Sequence, residues 1–177
     1  MSDTPWPTAT VLEGRRLILE PLRVEHADEM VSVLDDPTLH EFTGGSPATT
    51  DELRRRYARL STGRSADGSE GWLNWVVRLR ADAEAIGFVQ ATVTRSDDDL
   101  GAEVAWVIGT ARQHHGYAQE AAALTVQWLR QRGASSIVAH IHPDHRASAA
   151  VAHRIGLIPT GDTVDGEIRW QSPSNPR

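Results

Sequence analysis

Gln113, His114, His115, Gly116, Tyr117 and Ala118 follow an apolar run that closes at Gly109 and precede a stretch with helical periodicity. A strand, a short polar loop and a helix in that order leave the first backbone N–H groups of the helix unpaired and pointing outward. Together with the positive end of the helix dipole, those groups make a site for an anion. Gly116 lets the backbone approach a bulky phosphate, and Ala118 keeps the first turn small. The chemistry this pattern suits is the holding of a pyrophosphate.

A second stretch competes for attention. His140-Ile141-His142-Pro143-Asp144-His145 spells H-x-H-x-D-H, which resembles the zinc-ligand signature of the metallo-β-lactamases. On a strand His140 and His142 face one side, as a metal site needs. That family draws further ligands from well downstream, and His153 is the one histidine in the 32 residues after His145. A zinc hydrolase is therefore the weakest reading, and no metal is expected to serve the function.

The elements that must position these residues are legible in outline. An apolar run at 15–21 suits a first strand, and Ala27, Met30, Val31 and Leu34 recur at helical spacing over 25–34. Asp35, Asp36 and Pro37 end that helix, and Gly44 to Pro47 form a loop. Thr49 to Glu52 reads as a capping box opening a helix to about Leu60, with Leu53, Tyr57 and Leu60 as its narrow buried stripe. Residues 62–71 are Gly- and Ser-rich and read as a mobile loop. Strand-like runs at 72–80 and 85–94 make a hairpin, Asp97 to Asp99 a turn, and 102–108 a third strand. A helix over 116–132 stops at Gly133, where a C′ glycine belongs. A strand at 136–141, a helix over 147–155 ending at Gly156, and strands around Ile158 and 168–170 follow. Trp72, Trp75 and Trp106 read as core.

With the elements in place, the chain resembles the GCN5-related N-acetyltransferases (GNAT). Their signature is Gln or Arg, two residues, Gly, one residue, then Gly or Ala; Gln113, Gly116 and Ala118 match it. Tyr117 and Glu120-Ala121 extend the likeness toward the branch that acetylates the N-termini of ribosomal proteins, and weaker similarity runs from Leu17 to Leu157. His114 stands where a glycine is frequent, His145 in the place of an asparagine, Arg154 in that of a lysine, and Leu157 in that of a phenylalanine. The resemblance implies an α/β fold: a mixed central sheet of six or seven strands, an antiparallel meander then β-α-β-α-β, helices on both faces. It implies acetyl-CoA as cosubstrate and a primary amine as acceptor. Trp106, Val107 and Ile108 would pair with the pantetheine, and Gln113 to Ala118 with His145 would complete the cofactor site. Glu103 would act as base through water, and Ser148 would donate a proton to the sulfur. Glu103 also reads as a solvated strand carboxylate, Ser148 as a helix N-cap, and His114 and His115 as exposed loop residues. A catalytically silent acyl-CoA sensor, motivated by His114 and His145, is the alternative to an active enzyme.

Composition bounds the rest. The 177 residues fit one domain, with 1–12 and 172–177 expected to be flexible. The 40% hydrophobic content is that of a packed core, and the net charge of −6 argues against nucleic-acid binding. The 18 basic side chains are all arginine, so the chain has no lysine of its own to acetylate. Without cysteine there are no disulfides, no thiolate metal site and no thiol nucleophile. No signal peptide or membrane-length run is present, so a cytoplasmic protein that does not bind membranes is expected, monomer or homodimer. Asp35, Asp36, Glu41 and the 97–99 run would suit a cationic acceptor.

Overall fold

A computed structural model describes residues 5–96 and 99–173. Strands β1 (Leu12–Glu13) and β2 (Leu17–Pro21) lead to helices α1 (Ala27–Val33) and α2 (Thr50–Leu60). Strands β3 (Glu70–Leu79), β4 (Ala85–Ser96) and β5 (Asp99–Ile108) form the meander, followed by α3 (Tyr117–Gln131), β6 (Ala134–Ile141) and α4 (Arg146–Arg154). Strands β7 (Ile158–Val164) and β8 (Glu167–Gln171) close the chain. All eight strands join one sheet in the order β1-β2-β3-β4-β5-β6-β8-β7, with β5–β6 the parallel pair. The count exceeds the expected six or seven because the two-residue β1 pairs with β2 and the final hairpin supplies two strands.

Period-two alternation sends successive strand residues to opposite faces. On one face Leu73, Trp75, Val77, Val89, Val104, Ile108, Ile137 and Ile141 pack beneath α3 and α4, meeting Ala121, Leu129 and Ala152. On the other, Val76, Ala85 and Phe88 meet Ala27 and Met30 of α1 and Leu53 and Tyr57 of α2. The polar α2 thus buries Leu53 and Tyr57 of the stripe read from its sequence, and half-buries Leu60. Its start is the capping box: Thr49 N–H donates to Glu52 Oε2 (2.8 Å) and Glu52 N–H to Thr49 Oγ1 (3.3 Å).

The N-terminal stretch read as flexible is held from Pro5 onward. The fully buried Trp75 and its neighbour Trp128 meet edge-to-face at 5.5 Å. Their indole N–H groups donate to the carbonyl and hydroxyl oxygens of Thr10, at 2.8 and 3.1 Å. Trp6 donates to Gly68 O and lies under the Arg95 guanidinium. The 62–71 segment is likewise a closed turn, with Asp67 accepting from Ser65 and Ser69. Trp75 is core, whereas Trp72 and Trp106 are half-buried. Met1 to Thr4, Asp97, Asp98 and residues 174–177 lie outside the described residues.

Candidate active site

The site begins where two parallel strands part. Among the described residues the β5–β6 ladder ends at Glu103–Val138, while β5 stays paired with β4 to Ile108 and β6 with β8 to Ile141. Beyond Glu103 the two strands therefore splay into a wedge. Gly109 N–H donates to Ile86 O (2.8 Å), and with Gly87 opposite Ile108 this sets which pairs exchange hydrogen bonds. Val107 turns its peptide groups toward Phe88 in β4. Trp106 and Ile108 turn theirs to the open edge of the wedge. The expectation of three backbone partners at this edge reduces to two, since the Val107 groups are spent in the ladder. Gln113 Nε2 already donates to Ile108 O at 3.0 Å, tying the loop after β5 to the wedge.

At the mouth of the wedge stands the N-terminus of α3. Gly116 is its N-cap with φ +77°, and no side chain caps the helix. Two residues earlier His114 adopts φ +65°, left-handed without being glycine. Histidine is among the residues that tolerate this region, so the backbone shape a glycine would provide is present. The first N–H groups of α3 are left without a side-chain cap, as an anion at a helix start requires. Arg16 braces the loop from behind, donating to His115 O (2.8 Å) and Glu120 Oε2 (2.7 Å) and covering the Tyr117 ring at 4.7 Å. Burial pushes the Glu120 carboxyl up, but the Arg16 backbone N–H and guanidinium outweigh it and hold it below the usual carboxylate range.

The far wall is the loop after β6 and the start of α4. His145 is the N-cap of α4, its Nδ1 accepting from Ser148 N–H at 2.9 Å. The imidazole thus does the capping work of an asparagine, and burial holds its pKa below the ordinary 6.5. Ser148 sits inside the first turn, so its reading as an N-cap is corrected: its N–H is capped by His145, and the residue lines the cleft. Phe42, on the α1–α2 connection, meets the His145 ring edge-on at 4.5 Å and His142 at 5.3 Å. That contact joins the two walls.

The cleft between these walls has a volume of about 770 Å³. Trp106, Val107, Ile108, Gln113, His114, Gly116, Tyr117, Ala118, His145 and Ser148 all line it. His115 and Glu103 are not among its lining residues. His115 stacks on the outer side of Tyr117, ring centroids 5.5 Å apart. The Glu103 side chain is 56% exposed and bonds His140 Nδ1 through Oε1 at 3.0 Å; His140 does line the cleft. Sequence reasoning placed His140 only in the H-x-H-x-D-H string, and nothing in the sequence singled out Phe42. The string's imidazoles have separate local partners: Glu103 for His140, the Asp144 N–H for His142, the Ser148 N–H for His145. Among the described residues no group of three or more His, Cys, Asp or Glu converges as a metal site would require. Of the acidic residues read as acceptor-binding, Asp36 caps Thr38 instead, Glu41 lines the cleft, and Asp97 and Asp98 lie outside the described residues. A larger groove of about 1020 Å³ under the N-terminal arm has no carboxylate or imidazole in its lining among the described residues, and it adjoins the cleft where Asn74 pairs with Gln90.

Among the described residues no helix is long and apolar enough to cross a membrane. No curated protein matches the chain. Solved structures with the same fold include the ribosomal-protein-S5-alanine acetyltransferase from Vibrio fischeri, at TM-score 0.76 and 16% identity over 92% of this chain and 96% of that one. RimL, a ribosomal L7/L12 alpha-N-protein acetyltransferase in complex with coenzyme A, aligns at TM-score 0.74 and 14% identity over 93% and 98%. AAC(6′)-Ib in complex with paromomycin and acetyl-CoA aligns at 0.73 and 13% over 89% and 93%. At such identities these likenesses establish the fold, and the family rests on a separate match: residues 16–158 fit the model of the acetyltransferase (GNAT) domain. The chain belongs to the GNAT acetyltransferase family.

Proposed function

We propose that this protein transfers an acetyl group from acetyl-CoA to a primary amine by direct attack on the thioester. One observation carries the reading: the wedge between β5 and β6 opens against the start of α3, which no side chain caps. An extended pantetheine needs an unpaired strand edge, and a pyrophosphate needs convergent N–H groups; both are side by side here. The peptide groups of Trp106 and Ile108 face the pantetheine, and a backbone N–H of that edge is the donor to the thioester oxygen as negative charge develops there. The amine nitrogen bonds the carbonyl carbon as the C–S bond breaks. Glu103 takes part in removing the amine's proton, and the Ser148 hydroxyl protonates the departing sulfur.

The acceptor is proposed to be a protein N-terminal amine, in line with two of the structural relatives, with a small-molecule amine as the other member of the class. The deciding experiment is a calorimetric titration of acetyl-CoA with EDTA present, followed by thiol release with peptides beginning in alanine or serine and with paromomycin. Cysteine is absent, so the protein adds no thiol background. Binding of about one acetyl-CoA per chain near micromolar affinity (about −8 kcal/mol) and thiol release with an amine support the reading. Binding without release from any amine leaves the silent sensor, and no binding overturns the cofactor site.

A further inference from the structure

Resting on the transferase reading, we infer that His140 is the group that takes the proton from the acceptor amine, and that Glu103 is the positioning residue behind it. Glu103 is opposite Val138 at the last rung of the β5–β6 ladder, and His140 follows two residues on along β6. Both side chains therefore emerge on the same sheet face, at the apex where the strands part and where a thioester held along β5 would lie. The carboxylate of Glu103 accepts at 3.0 Å from His140 Nδ1. A carboxylate cannot donate there, so the neutral ring carries its proton on Nδ1 and leaves Nε2 as a bare lone pair. Nε2 is buried with no hydrogen-bond partner among the described residues. An orphaned polar atom of this kind costs about 1–3 kcal/mol, which a ligand N–H in the cleft would recover. Glu103 itself is the poorer base: its side chain is mostly exposed, it is absent from the cleft lining, and one of its oxygens is already committed to the ring.

The other charged groups around the ring are few. Arg169 is opposite His140 on β8, where it donates to Gln171, and Glu167 stands two residues before it. His142 follows just beyond the end of β6, and Glu41 and Arg56 face the cleft from the α1–α2 side. Protons balance as follows: the neutral amine bonds the carbonyl carbon and sheds one proton to Nε2. The thiolate takes one through Ser148, which solvent replaces, and Nε2 returns its own to solvent. Glu103 holds the tautomer and stabilises the imidazolium that forms.

Two measurements test this. In ¹⁵N-labelled protein without any ligand at pH 8, His140 is expected as the Nδ1–H tautomer, switching toward Nε2–H in Glu103→Ala; an Nε2–H ring in the wild type overturns the assignment. In thiol-release kinetics with whichever amine the wild type accepts, His140→Gln should lower kcat about 10²–10³-fold. Its acetyl-CoA affinity should stay within about threefold, and the acid limb of the pH profile should vanish. Glu103→Gln should lose less and keep the acid limb. The reverse pattern, with the limb kept in His140→Gln and lost in Glu103→Gln, makes Glu103 the base and overturns the proposal. A wild type that binds acetyl-CoA but acetylates nothing removes the transferase reading itself, whereas full activity in His140→Gln removes the dyad alone.

Discussion

Gly116 is where local backbone shape and proposed cofactor binding meet, so substitutions there separate the two. A Cβ built on Gly116 meets only Arg16 Nη2 at 3.5 Å, an ordinary contact. The cost of a side chain is therefore conformational and not steric: φ is +77°, and an L-residue held there loses about 1–2 kcal/mol. In a chain of this length that corresponds to a melting point lower by about 2–8 °C for Gly116→Ala. Gly116→Asn should lose about half as much, because asparagine tolerates left-handed backbone. Gly116→Glu carries the same strain plus a unit negative charge at the start of α3. At about 4 Å from a phosphate and an effective dielectric near 20, the repulsion is about 4 kcal/mol, roughly a thousandfold in affinity. Thermal melts without ligand read the strain, and calorimetric titration with acetyl-CoA reads the charge. If Gly116→Glu binds acetyl-CoA within threefold of wild type, the phosphate is not held at this helix start. If Gly116→Ala melts with the wild type, the left-handed conformation is not what the glycine supplies.

Two further outcomes follow from the packing and the titrating groups. Trp75→Ala removes a fully buried indole, its ring contact with Trp128 and its bond to Thr10, and should destabilise the fold by about 3–5 kcal/mol in denaturant melts; a loss below about 1 kcal/mol would show that the N-terminal arm and core are not coupled through it. Stability should fall as pH drops below about 6.5: His26 and His145 are held neutral chiefly by burial, so the unfolded chain binds protons first. Glu20, pushed up by burial but held down overall by its bonds to Arg78, adds a loss at lower pH, as it must be protonated against that pairing. Melting points that stay flat between pH 7 and 5 would contradict this sign.

Most of the helix and strand pattern is local information. Thr49 and Glu52 satisfy each other's N–H groups within one turn, so that helix start is readable from four residues. The loop before α3 is readable for a related reason, since Gly116 and the apolar run before it specify backbone conformation without reference to the rest of the chain. His145 shows the limit of such reading. The string marks it as a metal ligand or a substituted asparagine, but its imidazole caps Ser148, a role any short-range acceptor can fill.

Sequence alone determined the order of elements, the two-sided alternation of the strands and the strand, loop and helix start at residues 109–118, because each depends on residues within a turn or a strand of one another. Only the tertiary structure decided that the β5–β6 ladder stops at Glu103, that Phe42 crosses to His145, and that the Glu103 carboxylate meets the His140 ring. Those contacts join residues 37 and 103 positions apart in Glu103–His140 and Phe42–His145. Their geometry is set by strand register and by where α1 and α2 dock on the sheet, which no periodicity in the chain encodes.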